Sequence, residues 1–214
     1  MDIRAARQGA AAARRGVSRD EAEGRRIVLI ATSAGGLAAL RAVITPLPGN
    51  FGAPVVVMQH MAEGSPGLLP DLLASVSQIP VETARAGTSP ANGRIYVAPP
   101  GRHLVFASDG TMAFEFSGPT HFVRPSADKL FGSAAEAYGR RTIGVILTGR
   151  GDDGTEGARA IKAAGGIVIC QDRESSIAFG MPGATIADGD ADYVVSLERV
   201  APLLITLVGQ EAAA

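Results

Sequence analysis

Apolar residues fall along this chain in short, nearly unbroken runs, and between the runs their spacing lengthens to that of helices. Ile27–Ala31, Val55–Gln59, Thr142–Leu147 and Ile167–Cys170 are rich in β-branched residues and too short for helices, the pattern of strands buried on both faces. Gly36–Ile44, a stretch near Leu68–Val76, Ala127–Tyr138 and Thr155–Ala164 carry apolar positions three and four apart, as amphipathic helices do. A short run at Tyr193–Val195 and a helical pattern from Leu197 close the series. Strands alternating with helices predict an α/β fold, a doubly wound, mostly parallel sheet of Rossmann-like layering.

The middle of the chain departs from that alternation. Arg94–Ala98, His103–Ala107 and Met112–Phe116 all read as strands, and Ser108-Asp109-Gly110-Thr111 between the last two is hairpin chemistry. An antiparallel β-hairpin section is therefore expected to interrupt the wound sheet. Residues 1–24 lack any apolar stripe; through Arg26 they hold seven arginines (4, 7, 14, 15, 19, 25, 26) against Asp2, Asp20, Glu21 and Glu23. They read as a solvated, flexible Arg/Ala-rich leader, with residues 25–214 as one folded unit.

Composition narrows the classes of function. With 46% hydrophobic and 19% charged residues, 27 glycines and 13 prolines, the 214 residues describe a globular chain of many short elements. A net charge of −1 gives no overall attraction to nucleic acid or anionic membrane. No apolar stretch approaches the roughly 20 residues of a membrane span, and the first residues lack a signal peptide's apolar segment, so a cytoplasmic location without membrane insertion is expected. The single cysteine, Cys170, excludes an intrachain disulfide and sits in an apolar run as a core residue. Three dispersed histidines, His60, His103 and His121, without ligand spacing leave metal and cofactor sites unexpected.

In open α/β sheets, sites form beyond the C-terminal strand ends. Three such ends carry reactive groups: Ser33 after the first strand, His60 after Val55–Gln59, and Asp152 and Asp153 in "LTGRGDDGTEG". If those strands are neighbours, a hydroxyl, an imidazole and a carboxylate meet, which are the parts of acyl transfer. Plainer readings exist for each: Ser33 as a helix N-cap, His60 as a structural histidine, Asp152 and Asp153 as turn formers. "SAGG" fits neither a dinucleotide-binding fingerprint nor a P-loop, and Ala31 spoils a match to GxSxG. A phosphate-binding loop stays open at this point, and spacing does not separate Asp152 from Asp153.

"IATSAGG", "VVVMQHM", "RIYVAPPGRHL", "RPSADKLF", "LTGRGDDGTEG" and "AFGMP", in this order, resemble the catalytic domain of the chemotaxis methylesterases, the CheB family, over about residues 26–205. The resemblance implies a serine esterase that hydrolyses glutamyl methyl esters on chemoreceptors to glutamate and methanol, with some members also deamidating receptor glutamines. It implies Ser33 as nucleophile, His60 as general base and Asp153 as the orienting aspartate, with the backbone amides of Ala34 and Arg150 facing the oxyanion. Arg124 and Ser126 of "RPSAD" are candidates for lining the substrate groove, with Ser126 read first as the cap of the following helix. Two positions depart from the family pattern: Ala31 stands where relatives have Gly, and Arg150 where they have Met. Only 26 residues precede Ile27, too few for a phosphoacceptor receiver domain of roughly 100 residues, so a stand-alone catalytic domain is expected. The partners implied are a methylated, helical chemoreceptor-type protein and a cognate methyltransferase. The rival expectation is a catalytically weak module that binds a receptor or methyltransferase.

Overall fold

The computed structural model describes residues 26–62, 64–116 and 124–211; the leader and His121 lie outside the described residues. Among the described residues, nine strands run β1 (Ile27–Thr32), β2 (Val55–Gln59), β3 (Val81–Thr83), β4 (Ile95–Val97), β5 (His103–Phe106), β6 (Met112–Glu115), β7 (Thr142–Ile146), β8 (Ile167–Gln171) and β9 (Tyr193–Val195). Six helices join them: α1 (Gly36–Ile44), α2 (Leu69–Ala74), α3 (Ala127–Tyr138), α4 (Thr155–Ala163), α5 (Gly180–Ala187) and α6 (Leu197–Glu211). Seven strands form one sheet, in the order β3-β4-β2-β1-β7-β8-β9, with every pairing parallel.

The expected doubly wound sheet is present, and the middle of the chain is divided differently from the expectation. Ile95–Val97 pairs in parallel with β2 and β3, so only β5 and β6 are antiparallel, as a separate two-stranded hairpin. Two elements went unread. Strand β3 has three residues, with Glu82 and Thr83 among them, too few and too polar to show alternation. Helix α5 runs through "GMPGATIA", whose two glycines and proline are the residues that usually mark loops.

Successive residues of β1 point into two different cores, which is why the run has no polar alternation. Val28 and Ile30 join Leu40 and Val43 of α1, Leu73 of α2 and Leu204 of α6 on one face. Ile27, Leu29 and Ala31 join Leu130 and Phe131 of α3, Ile161 of α4 and Met181 of α5 on the other, with the hairpin's Leu104 and Met112 extending that layer. Cys170 is buried there and its thiol is pushed up to about 12, by burial first and by the Asp192 charge.

Helices α3 and α4 approach each other closely at Gly157, where an added Cβ would lie 2.6 Å from Phe131 Cβ and 3.1 Å from Asp128 Cα. Phe131 is fully buried at this crossing and against Gly144 of β7. Removing its ring leaves a void that close-packed neighbours fill only in part. Phe131→Ala should lower the unfolding free energy by about 3–5 kcal/mol in urea titration; a loss under about 1 kcal/mol would show that this crossing is not the packed centre described.

Candidate active site

The strand order sets three loops side by side. β1 lies between β2 and β7, and on either side of it the chain winds in opposite directions, so the crevice of a doubly wound sheet opens at its C-terminal end. His60 N–H donates to Thr32 O at 3.0 Å, and Ser33 N–H donates to Thr148 O at 3.0 Å. Ser33 therefore stands between His60 and the 148–153 loop, each about one strand spacing of 4.8 Å away along the sheet.

The cap expected as the plain reading of Ser33 is not formed. Helix α1 has Gly35 as its N-cap, in the left-handed region at φ 80, with no side-chain cap. Ser33 accepts from Gly36 N–H through its carbonyl, while its Oγ makes no hydrogen bond among the described residues. A partly buried hydroxyl without a structural bond is available for chemistry. Ala31 sits one residue before the end of β1, paired with Met58 and Ile146, and its methyl is buried in the second core layer. The turn begins beyond it, so the methyl packs in an extended strand and leaves the elbow untouched.

His60 Nε2 lies 2.7 Å from Asp153 Oδ2, with the imidazole side chain 9% exposed and the carboxylate 3%. Asp153 is the carboxylate brought to His60, whereas Asp152 is exposed. Burial raises the Asp153 carboxyl, but the bonds from His60, Ala127 N–H and Ser126 Oγ outweigh it and hold the group below the usual carboxylate range. An ionised carboxylate only accepts, so Nε2 must carry the proton it donates. That leaves the His60 Nδ1 lone pair, which makes no hydrogen bond among the described residues, as the basic nitrogen of the ring.

Asp153 is held by a helix start that is not its own. It accepts from Ser126 Oγ at 2.7 Å, Ala127 N–H at 2.6 Å and Asp128 N–H at 3.2 Å, all at the beginning of α3. In return Asp128 accepts from Gly154 N–H at 2.9 Å and Gly157 N–H at 2.8 Å, at the beginning of α4. The start of each helix, Asp128 in the first turn of α3 and Asp153 just before α4, supplies the aspartate that accepts from N–H groups at the start of the other, and both dipoles favour the negative charge. Ser126 also caps α3 as expected, accepting from Lys129 N–H at 3.5 Å. Arg124 is directed to Gly101 O at 3.2 Å.

Backbone amides of Ala34 and Arg150 donate no hydrogen bond among the described residues. Their loops are locked by Thr148, which sequence reasoning missed. Thr148 O accepts from Ser33 N–H and from Thr32 Oγ1 at 2.8 Å, its N–H donates to Gln171 Oε1 at 2.8 Å, and its Oγ1 donates to Ala34 O at 2.9 Å while accepting from Ala178 N–H at 2.9 Å. Its signal in the sequence is a polar residue ending an apolar strand, one that mattered for its backbone bonds. Beneath the loop, a Cβ on Gly149 would lie 2.1 Å from Met181 Sδ and 3.0 Å from Ser33 Cβ, so only glycine fits between them. Arg150 is exposed above it. His103 is buried at the start of β5 in the hairpin, and among the described residues no cluster of His, Cys, Asp or Glu is arranged to hold a metal. No described helix is long and apolar enough to cross a membrane.

Reciprocal capping predicts opposite pH effects for the two aspartates. Asp128 is pushed up to about 6 by burial first, partly opposed by the Gly157 N–H, with the nearby Asp153 charge adding to the rise. A folded value above the unfolded one means that the native state holds an extra proton between roughly pH 4 and 6, so this group's contribution falls as pH rises through that window. Asp153, lowered, contributes above the ordinary carboxylate value and loses that contribution as pH falls below it. Asp128→Asn should therefore gain stability relative to wild type between pH 4.5 and 7 in urea titrations. A difference that does not change with pH would contradict the assignment.

Comparison with known proteins gives the arrangement a family. The CheB methylesterase family model matches residues 28–204. A protein-glutamate methylesterase/protein-glutamine glutaminase of Moorella thermoacetica is 44% identical over 209 residues, 95% of this chain and 49% of that protein. A Leptospira interrogans relative is 38% identical across 84% of this chain and 93% of its own length. The crystal structure of the Thermotoga maritima CheB methylesterase catalytic domain superposes with a TM-score of 0.82 at 42% identity, covering 86% of this chain and 99% of that one. The chain spans about half the length of most of the relatives it matches. With the family model covering most of the chain and the fold shared with that catalytic domain, this chain belongs to the CheB methylesterase family.

Proposed function

We propose that this chain hydrolyses the γ-methyl ester of glutamyl side chains on a protein substrate of the chemoreceptor type, with residues 25–214 as the catalytic unit. The observation that carries the reading is the buried His60–Asp153 bond beside a serine hydroxyl free of structural bonds, on a CheB-family sheet. A hydroxyl is a poor nucleophile until a base takes its proton, and an imidazole whose other nitrogen is fixed by a carboxylate is such a base.

Ser33 Oγ attacks the ester carbonyl carbon as its proton passes to His60 Nδ1. The charge on the carbonyl oxygen meets the unused N–H groups of Ala34 and Arg150, and Asp153 stabilises the imidazolium. The carbon–methoxy bond then breaks, His60 returns the proton to the departing oxygen, and methanol leaves. Water attacks the glutamyl-serine ester with His60 again as base, and Ser33 recovers its proton as glutamate is released. A glutamine side chain follows the same course with ammonia as the leaving group, matching the second activity in the names of the relatives. A cognate methyltransferase, which would supply the ester, is the further partner this chemistry implies.

The rival reading is a binding module of low activity. Wild type should release methanol from a methylated receptor fragment, and Ser33→Ala and Asp153→Asn should each slow release by about 10⁴-fold or more. Release by neither wild type nor variant favours the binding module, and equal release by wild type and Ser33→Ala removes Ser33 as nucleophile.

Arg150 places an exposed cation at the rim of the site, and it should favour acidic residues around the ester. Arg150→Met is expected to lower kcat/KM for acidic ester peptides several-fold at low salt and to leave neutral ones unchanged; equal effects on both would remove the idea.

A further inference from the structure

We infer that a cleft beside His60 is a subsite for an apolar side chain of the protein substrate, one carried about 10 Å from the glutamyl ester. The inference rests on the esterase reading and adds what the substrate presents besides its ester. The cleft, about 250 Å³, opens at the C-terminal ends of β2, β4 and β3, on the side of β1 away from β7. Met61, the residue directly after His60, forms part of one wall, Leu69 at the start of α2 continues it, and Val97, Ala98 and Pro100 form the opposite side. The subsite is thus continuous with the candidate active site through one peptide bond.

The chemistry of the walls selects the occupant. Among the described residues no charged side chain lines the cleft. Ser65 Oγ is turned to Met61 Sδ at 3.8 Å, Ala98 N–H is spent on Val57 O at 2.8 Å, and Pro100 has no N–H to offer. The polar side chains on the lining are the hydroxyls of Ser65 and of Thr83 at the exposed rim, so an entering apolar group gains from burial, whereas a charged one would lose its water without an opposite charge among the described lining residues. A cavity of roughly 150 Å³ admits a benzene-sized group, so a Leu, Met or Phe side chain fits here. Outside the cleft, Leu68, the N-cap of α2, and Leu72 within it are 54% and 40% exposed four residues apart, beside the lining residues Leu69 and Pro70.

A small ester could reach Ser33 alone, but a protein side chain brings its neighbours onto this surface. From β1 to β4 is two strand spacings, about 10 Å. That span corresponds to about three residues of extended substrate or about seven of a helical one. Because Arg150 is exposed on the β7 side, the substrate would run across the strand ends with its apolar residue toward β4 and its acidic residues toward β7.

The test uses the Ser33→Ala protein, which binds substrate without consuming it, and labelled peptides bearing one glutamyl methyl ester. Leu replaces Asn in turn at each position from eight before the ester to eight after, and Kd is read by fluorescence anisotropy. One position should tighten binding about tenfold, the effect of burying one apolar side chain. Filling the cleft by Ser65→Trp, or from its exposed rim by Thr83→Trp, should abolish that gain. Equal Kd values across the series, or a gain that survives both fillings, would overturn the subsite. Because binding needs no turnover, a Leu-dependent gain with no methanol release by wild type would count against the esterase reading and leave the subsite standing.

Discussion

The site depends on an exchange of aspartates between two helices. Asp153 comes from the loop before α4 but is bound by the first residues of α3, and Asp128 of α3 is bound by the first residues of α4. Neither can move without stripping partners from buried N–H groups, a loss of about 1–3 kcal/mol for each. His60 joins this arrangement from outside, taking a lone pair of Asp153 that the helix leaves over. The imidazole is consequently oriented by a rigid element, as a general base must be if its free nitrogen is to face the same hydroxyl in every molecule. The glycine at 157 serves the same end, since any side chain there would push α3 and α4 apart and separate the aspartates from their donors.

On the other side of Ser33, Thr148 does for the loops what the aspartates do for the imidazole. By bonding Ser33 and Ala34, and holding Ala178 and Gln171, it ties three strand ends together, while the amides of Ala34 and Arg150 donate no hydrogen bond among the described residues. Unused donors at a rigid turn are what a developing oxyanion requires, because they need no reorganisation when charge appears. Core packing, backbone bonding and chemistry thus converge on one crevice, where the strand order reverses.

Much of this was legible in the sequence. Long apolar runs such as Val55–Val57 announce strands buried on two faces, and the loops after β1, β2 and β7, which carry Ser33, His60 and the pair Asp152 and Asp153, follow from where such folds place their sites, while the choice of Asp153 came from the family resemblance. What escaped was what only tertiary contact decides. Strand β3 is polar and three residues long, so it exists by pairing with β4 rather than by its own pattern. Strand β4 looked like part of an antiparallel section because nothing in "IYV" records the direction of its neighbours. Ser33 looked like a cap because serine before a helix usually is one; here Gly35 starts the helix and leaves the hydroxyl unengaged. Asp128 lies in the first turn of its own helix, and its bonds to Gly154 and Gly157 are long-range contacts that no local pattern encodes.

The central claim is that His60, oriented by Asp153, activates Ser33. Labelling with a serine-directed fluorophosphonate, followed by peptide mass spectrometry, tests it without any assumption about the natural substrate. The account predicts modification at Ser33 alone, at a rate that collapses in His60→Ala protein. Labelling of Ser33 at an undiminished rate without His60, or labelling confined to another residue, would contradict it.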